Sequence, residues 1–181
     1  MPRKQLEPYT WSIEDTFKHV YSVPVYQRPY SWESKEISTL LNDIFIAYCL
    51  PEEERNEGYF IGSVYIHSKD EKLNGLIQKY EIIDGQQRIT TLSLILLSIY
   101  SLALKNGTDQ GDQTLTSVKS ALWKYINRNY DKNNRAITLN SIEKVCFINL
   151  YDSCFENPVK IIDYCSSYKC SNKFESRVFD N

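Results

Sequence analysis

The stretch from Ile89 to Leu104 constrains the fold of this chain more than any other feature. It is almost wholly apolar, it follows Ile82-Ile83-Asp84-Gly85 after only Gln86-Gln87-Arg88, and it stops at Asn106-Gly107. A helix that is apolar all round cannot lie on a surface and must be buried on most sides. The run is short for a membrane span, and Thr90, Thr91, Ser93, Ser98 and Ser101 interrupt it, so no membrane is expected. The Asn-Gly pair supplies its stop signal. A chain of 181 residues, 42% of them hydrophobic, supports one globular domain around such a helix rather than two. Its 13% aromatic content argues against disorder.

Around that helix the remaining pattern is mixed. Ser12-Ile13-Glu14-Asp15 has the form of a capping box opening a short helix to about His19. Pro24 and Pro29 hold the stretch from Val23 to Trp32 extended. Ser31 can cap the next helix, where Ile37, Leu40, Leu41, Ile44, Phe45 and Tyr48 fall at helical spacing on one apolar face. Residues 51–58 read as an acidic, solvated surface loop. Tyr59 to Ile66 and Lys79 to Ile83 read as strands, and Asn74-Gly75 between them is a turn signal for an antiparallel pair. Helices are expected over 115–128 and 141–153, with a weaker signal over 159–168. The last dozen residues carry no pattern, and there is no internal repeat.

Charge and residue counts exclude several classes of function. Lys and Arg number 21 against 23 Asp and Glu, so any DNA contact must come from a local patch. One such patch is 123–135, where Lys124, Arg128, Lys132 and Arg135 stand against Asp131, with aromatics interleaved. That composition suits a DNA backbone contact, but it suits a helix with snorkelling basic side chains and a solvated loop better. The only histidines are His19 and His67, too few for a three-histidine site or a complete His-Asn-His nuclease motif. The five cysteines are odd in number, lack Cys-x-x-Cys spacing and lie away from both histidines. Reduced thiols in the cytoplasm are the expectation, not zinc ligands. No apolar run follows the charges at the N-terminus, so no signal peptide is read there.

The segment that carries chemistry is Tyr80-Glu81-Ile82-Ile83-Asp84-Gly85-Gln86-Gln87-Arg88-Ile89-Thr90-Thr91-Leu92. A buried strand passes through one glycine into a buried helix, so unpaired N–H groups and the positive end of the helix dipole converge on the turn. Such a helix start accepts an anion. Arg88 adds a bidentate fork suited to phosphate, and Thr90 and Thr91 add hydroxyls in the first turn. Gly85 permits close approach or positive φ. Gln86 and Gln87 can donate to phosphate or orient a water, and Asp84 can hold Mg²⁺. On the plainer reading, Asp84 caps the helix and the glutamines and Arg88 are solvated. The string is not a P-loop, since Gly-x-x-x-x-Gly-Lys is absent. A second polar island, Tyr26-Gln27-Arg28-Pro29-Tyr30-Ser31-Trp32, sets Gln and Arg among aromatics that can stack on a base. Equally, it can be an aromatic cover for the core with Arg28 stacked on Trp32.

Taken together, the two islands resemble the N-terminal domain of the GmrSD type IV restriction endonucleases, of the ParB/sulfiredoxin-like superfamily. The matching strings are Val23-Pro24-Val25-Tyr26-Gln27-Arg28-Pro29-Tyr30-Ser31-Trp32, Tyr59-Phe60-Ile61-Gly62-Ser63 and Asp84-Gly85-Gln86-Gln87-Arg88-Ile89-Thr90-Thr91-Leu92. Ile137-Thr138-Leu139-Asn140 before a helix is a weaker match. The resemblance covers about residues 8 to 155. Val23 replaces the family's usual isoleucine, and the chain stops where the family continues into a helical region and a His-Asn-His nuclease domain. It implies a domain over 1–155, with 156–181 beginning the helical region of a longer protein.

That resemblance implies an α+β fold, a small mixed sheet with packed helices and a nucleotide site at the strand-to-helix turn. In sulfiredoxin the equivalent position reads Gly-Cys-His-Arg; Gly85-Gln86-Gln87-Arg88 lacks the cysteine and histidine, which excludes a sulfinic-acid reductase. The expected function is a regulatory or sensing domain of a DNA restriction or anti-phage defence protein that binds a nucleoside triphosphate and, with Mg²⁺, hydrolyses it. Asp84, Gln86, Gln87 and Arg88 are the expected catalytic residues, with Asp84 as metal ligand. Tyr26, Gln27, Arg28, Gly85, Thr90 and Thr91 are the expected nucleotide-binding residues. The alternative is a non-catalytic module in which Tyr26, Tyr30 and Trp32 stack on modified DNA. Either reading has DNA and a His-Asn-His nuclease domain, in the same or a partner chain, as partners, and no nuclease activity from this chain alone.

Overall fold

A computed structural model of the chain describes residues 8–55, 58–73, 75–109, 111–126, 129–139 and 144–156. The described elements are α1 (Ile13–Thr16), β1 (Val20–Val23), α2 (Ser34–Cys49), α3 (Glu52–Arg55), β2 (Tyr65–Leu73), β3 (Ile77–Asp84), α4 (Gln86–Lys105), α5 (Gln113–Leu122), β4 (Trp123–Ile126), β5 (Asn129–Arg135), β6 (Ile137–Leu139) and α6 (Lys144–Glu156). The fold is α+β, as the resemblance implies. A four-stranded mixed sheet runs in the order β2-β3-β1-β6, and a separate hairpin pairs β4 with β5. In the sheet β2 and β3 are antiparallel, whereas β1 runs parallel to both β3 and β6.

The apolar run is the central helix, longer at both ends than the apolar residues alone. Ile89, Leu92, Leu94, Leu97 and Tyr100 of α4 are buried. Ile89, Leu94, Leu97 and Tyr100 share one cluster with Tyr21 and Val23 of β1, Ile82 of β3, Ile137 and Leu139 of β6, and Phe147, Leu150 and Tyr151 of α6, while Leu92 packs in a second with Phe17, Leu40 and Ala136. By length and apolarity α4 could cross a membrane, but it is the core helix here. It ends as Asn106-Gly107 predicts: Gly107 N–H donates to Leu104 O and Thr108 N–H to Ala103 O, the Schellman pairing that satisfies the last carbonyls. At the front of the chain, Ser12 Oγ accepts from Asp15 N–H, so the expected cap forms over a helix shorter than expected.

Four expectations about elements need correction. The helix expected over 115–128 ends at Leu122, and Trp123 begins a β-hairpin. Trp, Tyr and Ile are strand formers, and Trp123 is wholly buried edge-on to Tyr100, Tyr151 and Phe155. The snorkelling-helix reading of 123–135 fails with it. Ser31 does not cap α2. Its N–H is taken by the Gln87 side chain, and the helix starts at a Glu33 cap whose N–H donates to the Glu36 carboxylate. Of the apolar face of α2, Ile37 and Leu40 are buried and Ile44 packs partly against the core, while Phe45 and Tyr48 are 65% and 71% exposed. The strand expected over 59–66 begins only at Tyr65. Residues 51–58 include the exposed helix α3, and the signals at 141–143 and 159–168 lie outside the described residues.

Candidate phosphate cleft at the start of the central helix

The register of the sheet brings the two polar islands together. Pairing of β1 with β3 (Val20 with Lys79, Ser22 with Glu81) carries the chain beyond Val23 alongside the end of β3. Side chains then tie the first island to the second. Gln27 Nε2 donates to Ile83 O at 2.7 Å, and Gln86 Nε2 donates to Arg28 O at 2.6 Å. Gln87 Oε1 accepts from Ser31 N–H at 2.8 Å and from Trp32 N–H at 3.3 Å, while its Nε2 donates to Pro29 O. Tyr30 and Thr91 share a hydroxyl–hydroxyl hydrogen bond of 2.8 Å in the core. The first island is not the extended stretch its prolines suggest: beyond Val23 it forms no strand, and Gln27 N–H donates to Pro24 O across a turn, so its backbone is held by the glutamines of the second island rather than by a ladder.

These ties enclose a cleft of about 180 Å³ lined by Gln27, Arg28, Trp32, Asp84, Gly85, Gln86, Gln87 and Arg88. A smaller space of about 10 Å³, enough for one water, lies deeper against Val23, Tyr30, Thr90 and Leu139. Gly85 is the N-cap of α4, with φ of +87°, and a Cβ there would come within 3.1 Å of Ser63 O and Val64 Cα. Only glycine accepts both the left-handed turn and that approach. With no side chain capping α4, its first N–H groups and the positive end of its dipole are left at the cleft. Arg88 enters from α4 and Arg28 from the facing island; neither forms an ion pair among the described residues. Asp84 is exposed, with Oδ1 accepting from Gly85 N–H at 2.8 Å.

Most of the expected site residues therefore sit on one cleft, but in unequal roles. Gln87 is 6% exposed and spends both ends of its amide on the Pro29–Trp32 backbone. Gln86 spends only its Nε2, and no described residue bonds its Oε1. Thr91 is turned inward, its hydroxyl shared between Tyr30 and Gln87 O, and Thr90 is buried against the deeper space. Tyr26 is 67% exposed beside the cleft, and its hydroxyl donates to Glu81 Oε1 at 3.2 Å. Glu81 also pairs with Lys69, which with Tyr26 holds its carboxyl below the usual range. Trp32 lines the cleft and also packs against both core clusters.

Sequence reasoning passed over what holds Arg88. Its Nη1 donates to Ser63 O at 3.1 Å, and its guanidinium lies against Gly62. A glycine inside an apparent strand was the available signal, since it marks a close backbone approach. The basic patch at 123–135 is largely neutralised: Lys132 pairs with Glu156 and Arg135 with Asp152, and Lys124 is buried on backbone carbonyls. Arg128 lies outside the described residues.

The fold and the cleft define a class: an α+β domain in which a cleft at a strand-to-helix turn is lined by two arginines, one from each wall, and by the start of the central helix. The family model of the GmrSD restriction endonuclease N-terminal domain matches residues 12–177, and the chain belongs to that family. Membership points to a role in a restriction or defence protein, with DNA and a nuclease domain as its associates. No curated protein matches the chain.

Proposed function

We propose that the domain binds the triphosphate of a nucleotide in the Arg28–Arg88 cleft and hydrolyses it, and that this reaction regulates a restriction protein acting on DNA. The observation that supports this reading is the convergence of two arginines and an uncapped helix start on a cleft where, among the described residues, neither arginine has an ion pair and Asp84 is the one carboxylate in the lining. An anion satisfies all three at once. Arg28 and Arg88 hold phosphate oxygens, and the first N–H groups of α4 add neutral donors. Gln27 and Gln87 keep the two walls in register through their backbone bonds. Gln86 Oε1 is the acceptor left to orient the attacking water, the role glutamine plays in GTPases.

The donor set fits Mg²⁺ delivered with its nucleotide. Among the described residues no group of three His, Cys, Asp or Glu side chains could hold an ion alone. Mg²⁺ is usually bound by one or two carboxylates together with substrate phosphates and waters. Asp84, with one oxygen uncommitted, supplies that carboxylate. Bound there, Mg²⁺ would neutralise charge developing on the phosphates.

Stacking on modified DNA is the weaker reading. Tyr30 is buried with its hydroxyl on Thr91, and Trp32 is half embedded in the core, which leaves Tyr26 as the one freely exposed aromatic of the three. The test is a thermal-shift screen of the common nucleoside triphosphates with Mg²⁺, followed by phosphate release on each hit. Stabilisation with turnover is expected. No response to any triphosphate, with tight binding of modified DNA, would overturn the proposal.

A further inference from the structure

The guanidinium of Arg88 does not hang free in the cleft. A Cβ placed on Gly62 would lie 2.6 Å from Arg88 Cζ, 2.8 Å from Nη2 and 2.9 Å from Nη1, closer than Cβ atoms come to other groups. The group therefore rests directly on the Gly62–Ser63 backbone, with Nη1 bonded to Ser63 O. Its Nε is buried without a partner among the described residues. The supporting segment is itself anchored: Ile61 packs with Leu40, Leu92 and Ala136, and the Tyr59 hydroxyl is hydrogen-bonded to Asp43 of α2. Arg88 thus stands against a fixed rest on one side and the cleft on the other.

From this geometry we infer that Gly62 is a positioning residue for the anion site: by lacking a side chain it lets the Arg88 guanidinium dock on the 62–63 backbone, aimed at the ligand before it arrives. The inference rests on the phosphate reading of the cleft. A long side chain that is already held loses less rotamer freedom on binding, and its planar fork arrives in the orientation a phosphate needs. A methyl group at position 62 must push the guanidinium away.

The probe is inorganic tripolyphosphate, titrated by calorimetry into the whole 181-residue chain. Gly62→Ala should weaken binding about tenfold or more, the scale expected when a charge-assisted contact is misplaced. Gly62 has φ of +120°, so alanine also strains the backbone; Gly58→Ala is the control, with φ of +71° and nothing within 4 Å of the added Cβ. Gly58→Ala should bind as the parent does. The decisive variant is Gly62→Ala/Arg88→Ala, which should bind no more weakly than Arg88→Ala, because Gly62 acts only through that side chain. Losses that add, or a Gly62→Ala that binds normally, would overturn the inference while leaving the phosphate site intact. If Arg88→Ala itself binds tripolyphosphate normally, the functional reading has failed instead. Should Gly62→Ala not fold, the parent protein gives the answer by nitrogen NMR of Arg88, assigned through Arg88→Lys. A hindered guanidinium in the free protein that shifts on adding tripolyphosphate supports the inference. A freely rotating one overturns it.

Discussion

At the scale of single residues, adjacent side chains with similar chemistry separate by what they touch. Gln87 and Arg88 are neighbours at the start of α4, yet Gln87 faces inward and Arg88 borders the cleft. Gln87→Ala removes three hydrogen bonds and strands the N–H of Ser31 and the carbonyl of Pro29. At about 1 kcal/mol for each net bond, with more for stranded groups, it should destabilise the fold by roughly 2–4 kcal/mol. Urea unfolding measures this; an unchanged midpoint would mean that Gln87 is not a structural tie. Arg88→Lys should behave in the opposite way. It leaves the unfolding midpoint within about 0.5 kcal/mol of the parent, as a partly exposed substitution does. It should still bind tripolyphosphate several-fold more weakly, since ammonium keeps the charge and loses the fork. Equal binding by Arg88→Lys would show that charge alone matters there.

At the scale of elements, the same buried cation that weakens the DNA-patch reading joins two helices. Lys124, 3% exposed in β4, donates to Phe17 O at the end of α1 and to Ser120 O and Ala121 O in the last turn of α5. The carbonyl end of a helix favours a cation, but no carboxylate pairs with it among the described residues, and burial pushes its pKa down to about 8. Between pH 8 and 10.5 the unfolded chain then holds a proton that the folded chain has released, so this group makes stability rise with pH across that window. Cys154, whose thiol burial pushes up to about 12, works in the opposite direction. Comparison with Lys124→Met cancels that background: parent stability relative to the variant should rise by at most roughly 3 kcal/mol from pH 7.5 to 10. A flat difference would contradict the burial of an unpaired amine. The hairpin holding Lys124 was not legible in the sequence, because Trp123-Lys124-Tyr125-Ile126 continues a helical pattern whose end is set by Trp123 packing on Tyr100, Tyr151 and Phe155. The central helix, its Asn-Gly stop and the antiparallel β2–β3 pair were legible because local signals and burial agree there. The far half of α2 was misread because apolar spacing alone does not say what an apolar face will meet.

At the scale of the whole molecule, the site exists because the topology folds two distant segments onto each other. Arg28 follows a strand paired in parallel with β3, and Arg88 follows β3 itself through the left-handed Gly85. The clustering of chemistry at the turn was readable from residue types. Which groups face the cleft was not, because that depends on the backbone bonds of Gln86 and Gln87 and on the rest provided by Gly62 and Ser63. In the proposed function Arg28 and Arg88 grip one anion. A double-mutant cycle tests it most directly, measuring affinity for a nucleoside triphosphate found in the stability screen across the parent, Arg28→Ala, Arg88→Ala and the double variant. Each single variant should lose about tenfold to a hundredfold, the range for a charge-assisted contact of roughly 1.5–3 kcal/mol. The double variant should lose less than the sum of the two, because contacts to one ligand are not independent. Strictly additive losses, or an Arg28→Ala variant that binds like the parent, would contradict a shared site.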